Sequence, residues 1–236
     1  MLIASWNVNS IRSRLSQVTK WLEDKQPDVL CLQETKVPDK DFPCKIFENI
    51  GYNVYFYGQK SYNGVAIISK DKIADIRYGF GGELNQVEIS DELYFQKRII
   101  SGLINGIRII NVYVPNGSSL NSEKFDYKIN WLAMLNEYLI KQSKRGEPTC
   151  LLGDFNIALN DNDIHDPDKF TGSIMASEIE RKLLRKALSS RFRDSFRIFE
   201  KFSGHWSWWD YRNNSFELNK GWRIDHIYIS NNLLSN

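Results

Sequence analysis

The chain has 236 residues, 42% hydrophobic and 25% charged, with 31 Lys and Arg against 29 Asp and Glu for a net charge of +2. This composition excludes disordered and collagen-like chains, and a chain of this order of length buries roughly 70–75% of its unfolded surface without staples. No apolar run approaches the ~18 residues of a membrane span, and Met1-Leu2-Ile3-Ala4-Ser5-Trp6 does not read as a secretory leader. Cys31, Cys44 and Cys150 are odd in number and widely spaced, which disfavours a disulfide framework or zinc ribbon and suits a reducing cytoplasm.

In chain order, short apolar runs predict strands over Leu2–Val8, Asp28–Gln33, Asn53–Tyr57, Val65–Ser69, Tyr94–Leu103, Ile107–Val114, Thr149–Leu152 and Ile224–Ile229. Many are β-branched and uniformly apolar, as in strands covered on both faces. Asn63-Gly64 and Asn105-Gly106 are hairpin signals. Ile11, Leu15, Val18 and Leu22 keep helical spacing behind Ser10 as N-cap. Phe125, Ile129, Leu132, Leu135 and Leu139 form a second stripe. Ser177-Glu178-Ile179-Glu180 is a capping box opening a third helix through Leu183, Leu184, Ala187 and Leu188. Gly79-Phe80-Gly81-Gly82 reads as a turn, since it opens no clear helix. The implied class is α/β: packed sheets with helices outside.

Polar residues cluster at strand ends. Asn7 and Asn9 follow the first strand, Glu34 the second; Tyr113 and Asn116 end another, and Asp154 and Asn156 follow Cys150-Leu151-Leu152-Gly153. Asp225 sits in Gly221-Trp222-Arg223-Ile224-Asp225-His226. Strand ends converge on one rim, where ligand sites form. Three carboxylates with amides and a phenol make a hard-oxygen site suited to Mg²⁺, with Mn²⁺ as substitute. The plainer reading of each Asp and Asn alone is turn formation. Asp161, Asp163, Asp166 and Asp168 with His165 read as an acidic loop, because the EF-hand glycine and glutamate are missing.

These residues lie in a series of motifs. Trp6-Asn7-Val8-Asn9-Ser10-Ile11-Arg12, Pro27 to Lys36 with Leu32-Gln33-Glu34-Thr35, Asn63-Gly64-Val65-Ala66, Asn111 to Gly117, Gly153-Asp154-Phe155-Asn156, Ser207-Trp208-Trp209-Asp210-Tyr211-Arg212 and Gly221 to Asp225 follow one another over residues 2 to 230. In order and spacing they resemble the exonuclease III type of apurinic/apyrimidinic endonuclease. The Gln-Glu-Thr and Gly-Asp-x-Asn elements are shared across the wider endonuclease/exonuclease/phosphatase superfamily; the tryptophan motifs narrow the likeness to its DNA-repair branch. The resemblance implies a four-layer α/β sandwich over one domain, 1–236, with quasi-twofold halves and a rim Mg²⁺ site. It implies cleavage of DNA 5′ to abasic sites, accompanied by 3′→5′ exonuclease and 3′-phosphatase activity, by a monomer in the cytoplasm acting on duplex DNA with abasic sites or 3′ ends.

Carried over by motif, Glu34 is a metal ligand with Asn7 beside it, Asp154 orients or deprotonates water, and Asn156 holds phosphate or water. Tyr113 contacts the scissile phosphate, while Asn9, Arg12 and Asn116 contact phosphate or DNA. Trp208, Trp222 and Ile224 line a pocket for a sugar without a base, which is cheap to extrude. Trp206 and Trp209 are expected in the core. Lys124, Lys128, Arg14 and the run Arg181, Lys182, Arg185, Lys186, Arg191, Arg193, Arg197 are further basic residues; the 177–190 stretch reads mainly as a solvated face.

The chain departs from the resemblance at its end, Leu233-Leu234-Ser235-Asn236, where a last strand with Ser-Asp-His is missing. Asp225 is expected to lack the histidine it would orient, and His226 is expected to be structural because it points to the opposite face. The expectation is a C-terminally shortened member with weak or no activity unless something replaces that strand, since such a phosphate contact or base is commonly worth about 10²–10⁴ in rate. Two other readings stand beside it: an inactive DNA-binding paralogue, and a phosphoesterase acting on inositol phosphates or sphingomyelin.

Overall fold

A computed structural model describes residues 1–84, 91–212 and 214–234. The chain forms two compact units interleaved along the sequence: Met1–Tyr113 with Glu147–Asp154, and Val114–Gly146 with Phe155–Asn236. It is an α/β protein with mixed sheets and helices.

The first unit contains β1 (Ile3–Asn7), α1 (Ile11–Lys25), β2 (Val29–Gln33), α2 (Cys44–Asn49), β3 (Asn53–Tyr57), β4 (Val65–Ser69), β5 (Ala74–Tyr78), α3 (Asp91–Phe95), β6 (Ile99–Ile104), β7 (Ile107–Tyr113) and β8 (Thr149–Asp154). One mixed sheet runs β1-β2-β4-β3, with β1 and β2 parallel. In the other, β5, β6 and β7 pair antiparallel and β7 and β8 pair parallel. The two sheets pack face to face. Leu30, Leu32, Ala66 and Ile68 share a core with Ile11, Val18 and Leu22 of α1 and Phe47 of α2. The alternate residues Val29, Cys31, Val65 and Ile67 are equally buried. Both faces are therefore covered, which is why these strands read as uniformly apolar. Each fully buried aliphatic side chain contributes about 1.5–3 kcal/mol.

Between the sheets lies a polar clamp. Gln33 Nε2 donates to Asn111 Oδ1 at 2.8 Å, and Asn111 Nδ2 donates to the carbonyls of Leu32 and Ala66, each at 2.9 Å. It specifies how β7 sits against β2 and β4, since a slip would strand buried polar groups.

The second unit contains α4 (Glu123–Ser143), α5 (Pro167–Phe170), α6 (Glu178–Leu188), β9 (Phe192–Asp194), α7 (Ser195–Phe199), β10 (Trp208–Trp209), β11 (Gly221–Trp222), β12 (Asp225–Ser230) and α8 (Asn231–Leu234). α4 packs on α6, β9 pairs antiparallel with β12, and β10 with β11. The capping box is as expected: the side chains of Ser177 and Glu180 each bond the other's backbone amide. Ser122 caps α4 by accepting from Phe125 N.

Several expectations are corrected. Tyr94–Leu103 splits into the end of α3 and the strand β6, with the break at the polar residues Gln96-Lys97-Arg98. Asn105-Gly106 is the tight two-residue turn expected, with both φ positive, but Asn63-Gly64 ends a longer connection between β3 and β4. Ser10 stands at the N-cap of α1 without capping it; its hydroxyl accepts from Ser13 Oγ. β5 was not foreseen, because Ala74-Asp75-Ile76-Arg77-Tyr78 is a short, largely exposed edge strand with charged residues at every second position. Trp206 and Trp209 are half-buried, not core.

Replacing Asn111 with Ala removes the donor to two buried carbonyls and the acceptor for Gln33. The expected loss is about 2–3 kcal/mol of stability, read by chemical denaturation.

Candidate active site

Parallel pairing sends the ends of β1 and β2, and of β7 and β8, each in one direction: Asn7 stands opposite Gln33 and Tyr113 opposite Asp154. Contact between β1 and β8 then joins the two pairs of ends. Asn7 Nδ2 donates to Glu34 Oε1 and to Asp154 Oδ2, both at 2.8 Å. A single neutral amide thus bridges two carboxylates that would otherwise repel.

Local backbone supports this placement. Gly153, just before Asp154, has φ +140°, and a Cβ there would lie 1.9 Å from Val112 O, so only glycine lets β8 run this close to β7. Glu34 itself is left-handed at φ +53°, a conformation costing a non-glycine residue roughly 1–2 kcal/mol. It is held by bonds from Ser10 N to Glu34 O and from Thr35 N to Gly64 O.

Glu34 is densely engaged. Lys36 Nζ lies 2.8 Å from its Oε2 and also donates to Asn9 Oδ1, while Asn9 N donates to Asn7 Oδ1. Burial pushes the Glu34 carboxyl up, but hydrogen bonds from Asn7 and Lys36, the Lys36 charge and a bond from Tyr113 outweigh it and hold it below its ordinary 4.5. Burial, then the Glu34 charge, raises the Tyr113 phenol far above its usual value. Tyr113 is therefore a protonated donor across the working pH range. Arg98 fixes it from two sides, with its guanidinium over the ring and a bond to Tyr113 O.

The second unit gathers the two remaining asparagines. Asn116 Nδ2 donates to Asn156 Oδ1 at 2.9 Å and Asn156 Nδ2 to Val114 O at 3.0 Å. Trp208, Trp222 and Ile224 share an apolar cluster with Ala158, Ile164, Met175 and Ala176. Trp222 and Ile224 are only 6% and 2% exposed, so half-buried Trp208 carries most of the open surface of the three. Its ring meets Trp222 edge-on at 6.5 Å. Asp225 opens β12, its amide donating to Ser207 Oγ, which also accepts from Ile224 N.

Arg12 is exposed and pairs with exposed Asp41 at 3.2 Å, a contact of small energetic weight. Several other basic residues are engaged with groups inside the protein. Lys128 is buried against Glu180, Arg181 holds Ala158 O and Asp161, and Arg197 and Arg223 meet at buried Asp163. His226 is buried, with Nε2 2.8 Å from Ile157 O, and burial followed by the Arg223 charge lowers its pKa. It is structural, as its strand position predicts. Lys36, Ser207 and Lys128 were not given site roles. Lys36 and Ser207 stand inside the quoted motifs, whereas Lys128 is marked only as a charged residue within the apolar stripe of α4.

Residues 4–235 match the endonuclease/exonuclease/phosphatase family. The chain belongs to that family. Exodeoxyribonuclease III of Haemophilus influenzae is 37% identical over 245 residues, which cover 99% of this chain and 89% of that protein. A solved 3′ phosphatase from Neisseria, bound to a product DNA hairpin, is 38% identical with a TM-score of 0.92 over 100% of this chain and 88% of its own. An AP endonuclease from Archaeoglobus fulgidus is 39% identical with a TM-score of 0.90, over 100% and 89% respectively. This family member is a nuclease hydrolase of the exodeoxyribonuclease III and AP endonuclease group. Among the described residues, no helix is long and apolar enough to cross a membrane.

Glu34 ionises more readily in the folded chain, so its interactions stabilise the protein above its unfolded pKa and are lost as pH falls through the lower folded value. Wild type is expected to be more stable than Glu34→Gln at pH 7. The gap should close as pH falls below 4.5; thermal denaturation across pH 3–7 measures it.

Proposed function

We propose that this protein is a Mg²⁺-dependent DNA-repair phosphodiesterase that cleaves duplex DNA on the 5′ side of abasic sites and also acts at 3′ ends as an exonuclease and phosphatase. The observation that carries the reading is the amide bridge from Asn7 to Glu34 and Asp154, in a chain of this family. The donor chemistry fits Mg²⁺ or Mn²⁺: an ionised carboxylate and an amide oxygen, the hard ligands these ions take together with water and substrate phosphate. Glu34 with Asn7 would hold the ion, which when bound supplies positive charge to a nonbridging phosphate oxygen.

The chain's own groups supply the rest. Asp154 accepts a proton from the attacking water. Tyr113, kept protonated, donates to the phosphate as charge develops. Asn116 and Asn156 contact phosphate through their amides, and Asp225, its backbone amide held by Ser207, contributes a further carboxylate. Asn9 and Arg12 contact the DNA backbone, which positions the substrate without reading sequence. Trp208, Trp222 and Ile224 receive the baseless sugar. The buried or half-buried free cysteines suit a cytoplasmic protein, here acting as a monomer.

The test is nicking of a duplex with one tetrahydrofuran abasic analogue. Mg²⁺-dependent nicking 5′ to the lesion, abolished by EDTA and by Glu34→Ala, is the expected result. Asp154→Asn should lower kcat by about 10²–10⁴. No nicking by the cooperatively folded wild type would refute the assignment.

A further inference from the structure

Lys128 lies outside every motif, yet it is fully buried beneath two of the phosphate-contact residues. Among the partners of its ammonium at hydrogen-bonding distance are Glu180 Oε1 at 2.5 Å, Asn156 O at 2.8 Å and Asn116 O at 3.1 Å. Glu180 also accepts from Met175 N, Ser177 N and Ser177 Oγ. Met175 Sδ in turn faces Asn116 Nδ2 at 3.4 Å, and Asn116 Nδ2 donates to Asn156 Oδ1. The bonds form a closed ring: Lys128, Glu180, Met175, Asn116, Asn156 and back to Lys128.

Space is reserved for this lysine. A Cβ on Gly117, at φ +87°, would come within 3.1 Å of Lys128 Cδ. A buried ion pair is a poor source of stability, since removing two charges from water costs several kcal/mol per ion and well-packed apolar residues commonly do as well. What the ammonium adds is direction. It fixes the carbonyls of Asn116 and Asn156, and so the orientation of the two side chains, with Asn156 left-handed at φ +49°.

We propose that Lys128 is a positioning residue for phosphodiester cleavage, acting through Asn156 and Asn116 and touching no substrate itself. This rests on the function proposed above.

The test is a cycle on abasic-duplex nicking with Lys128→Met/Glu180→Gln, which removes both charges together, Asn156→Ala, and the three substitutions combined. The paired replacement should lower kcat by about 10²-fold, the scale of a 1 Å misplacement, while KM changes by less than about threefold. In the Asn156→Ala background the same replacement should have little further effect, since groups acting as a unit are not additive. Additive losses in the two backgrounds, or an undiminished kcat, overturn the proposal while leaving the function intact. No nicking by wild type overturns both. Should the Met/Gln pair not fold cooperatively, Lys128→Gln/Glu180→Gln, which keeps a donor in the same space, takes its place in the cycle. A kcat loss that vanishes in the Asn156→Ala background again supports the proposal, and an additive loss or none overturns it.

Discussion

Two carboxylates held close in a half-buried place repel, and either each finds a cation or something neutral must sit between them. Asn7 is that neutral group. Its amide nitrogen has two hydrogens, and each is given to a different carboxylate, Glu34 and Asp154. Much of the first unit serves this meeting. Parallel pairing of β1 with β2 and of β7 with β8 aims the strand ends one way. The Gln33–Asn111 clamp fixes one sheet against the other. Gly153 allows β8 to approach β7 closely enough to deliver Asp154.

The second unit solves a related problem with charge. Lys128 and Glu180 are both fully buried, as is Asp163 between Arg197 and Arg223. Each group meets both an opposite charge and hydrogen bonds, the condition under which burial of ions is tolerated. Burial raises the Asp163 carboxyl, but bonding to Arg223 and the Arg223 charge prevail and keep it below its usual range. Removing one partner from such a set leaves an uncompensated charge, so these clusters specify geometry even where they add little stability.

Strand positions were legible because β2, β4 and β7 are buried on both faces and so are nearly all apolar. The capping box at Ser177 was legible because it is a local exchange of bonds. The expected strand over Tyr94–Leu103 holds over Ile99–Leu103 but not at Tyr94 and Phe95, because a short apolar piece does not separate helix from strand. The solvated face expected over 177–190 holds at Lys182, Arg185 and Lys186, which are exposed. Arg181 departs from it, drawn inward by the carbonyl of Ala158 and the carboxylate of Asp161.

Fold class, family and the polar residues at strand ends were all readable along the chain, because periodicity and motif are properties of neighbouring residues. The strained positions, Glu34 and Asn156, were also there, though nothing local marks them as left-handed. Which groups meet was settled only by packing in three dimensions. Asn7 reaches Asp154 across 147 positions of chain, and Arg223 reaches Asp163 across 60. No local pattern encodes such pairings. They arise when the burial of apolar faces fixes the backbone, and the polar groups caught inside must then find partners among whatever the packing brings near.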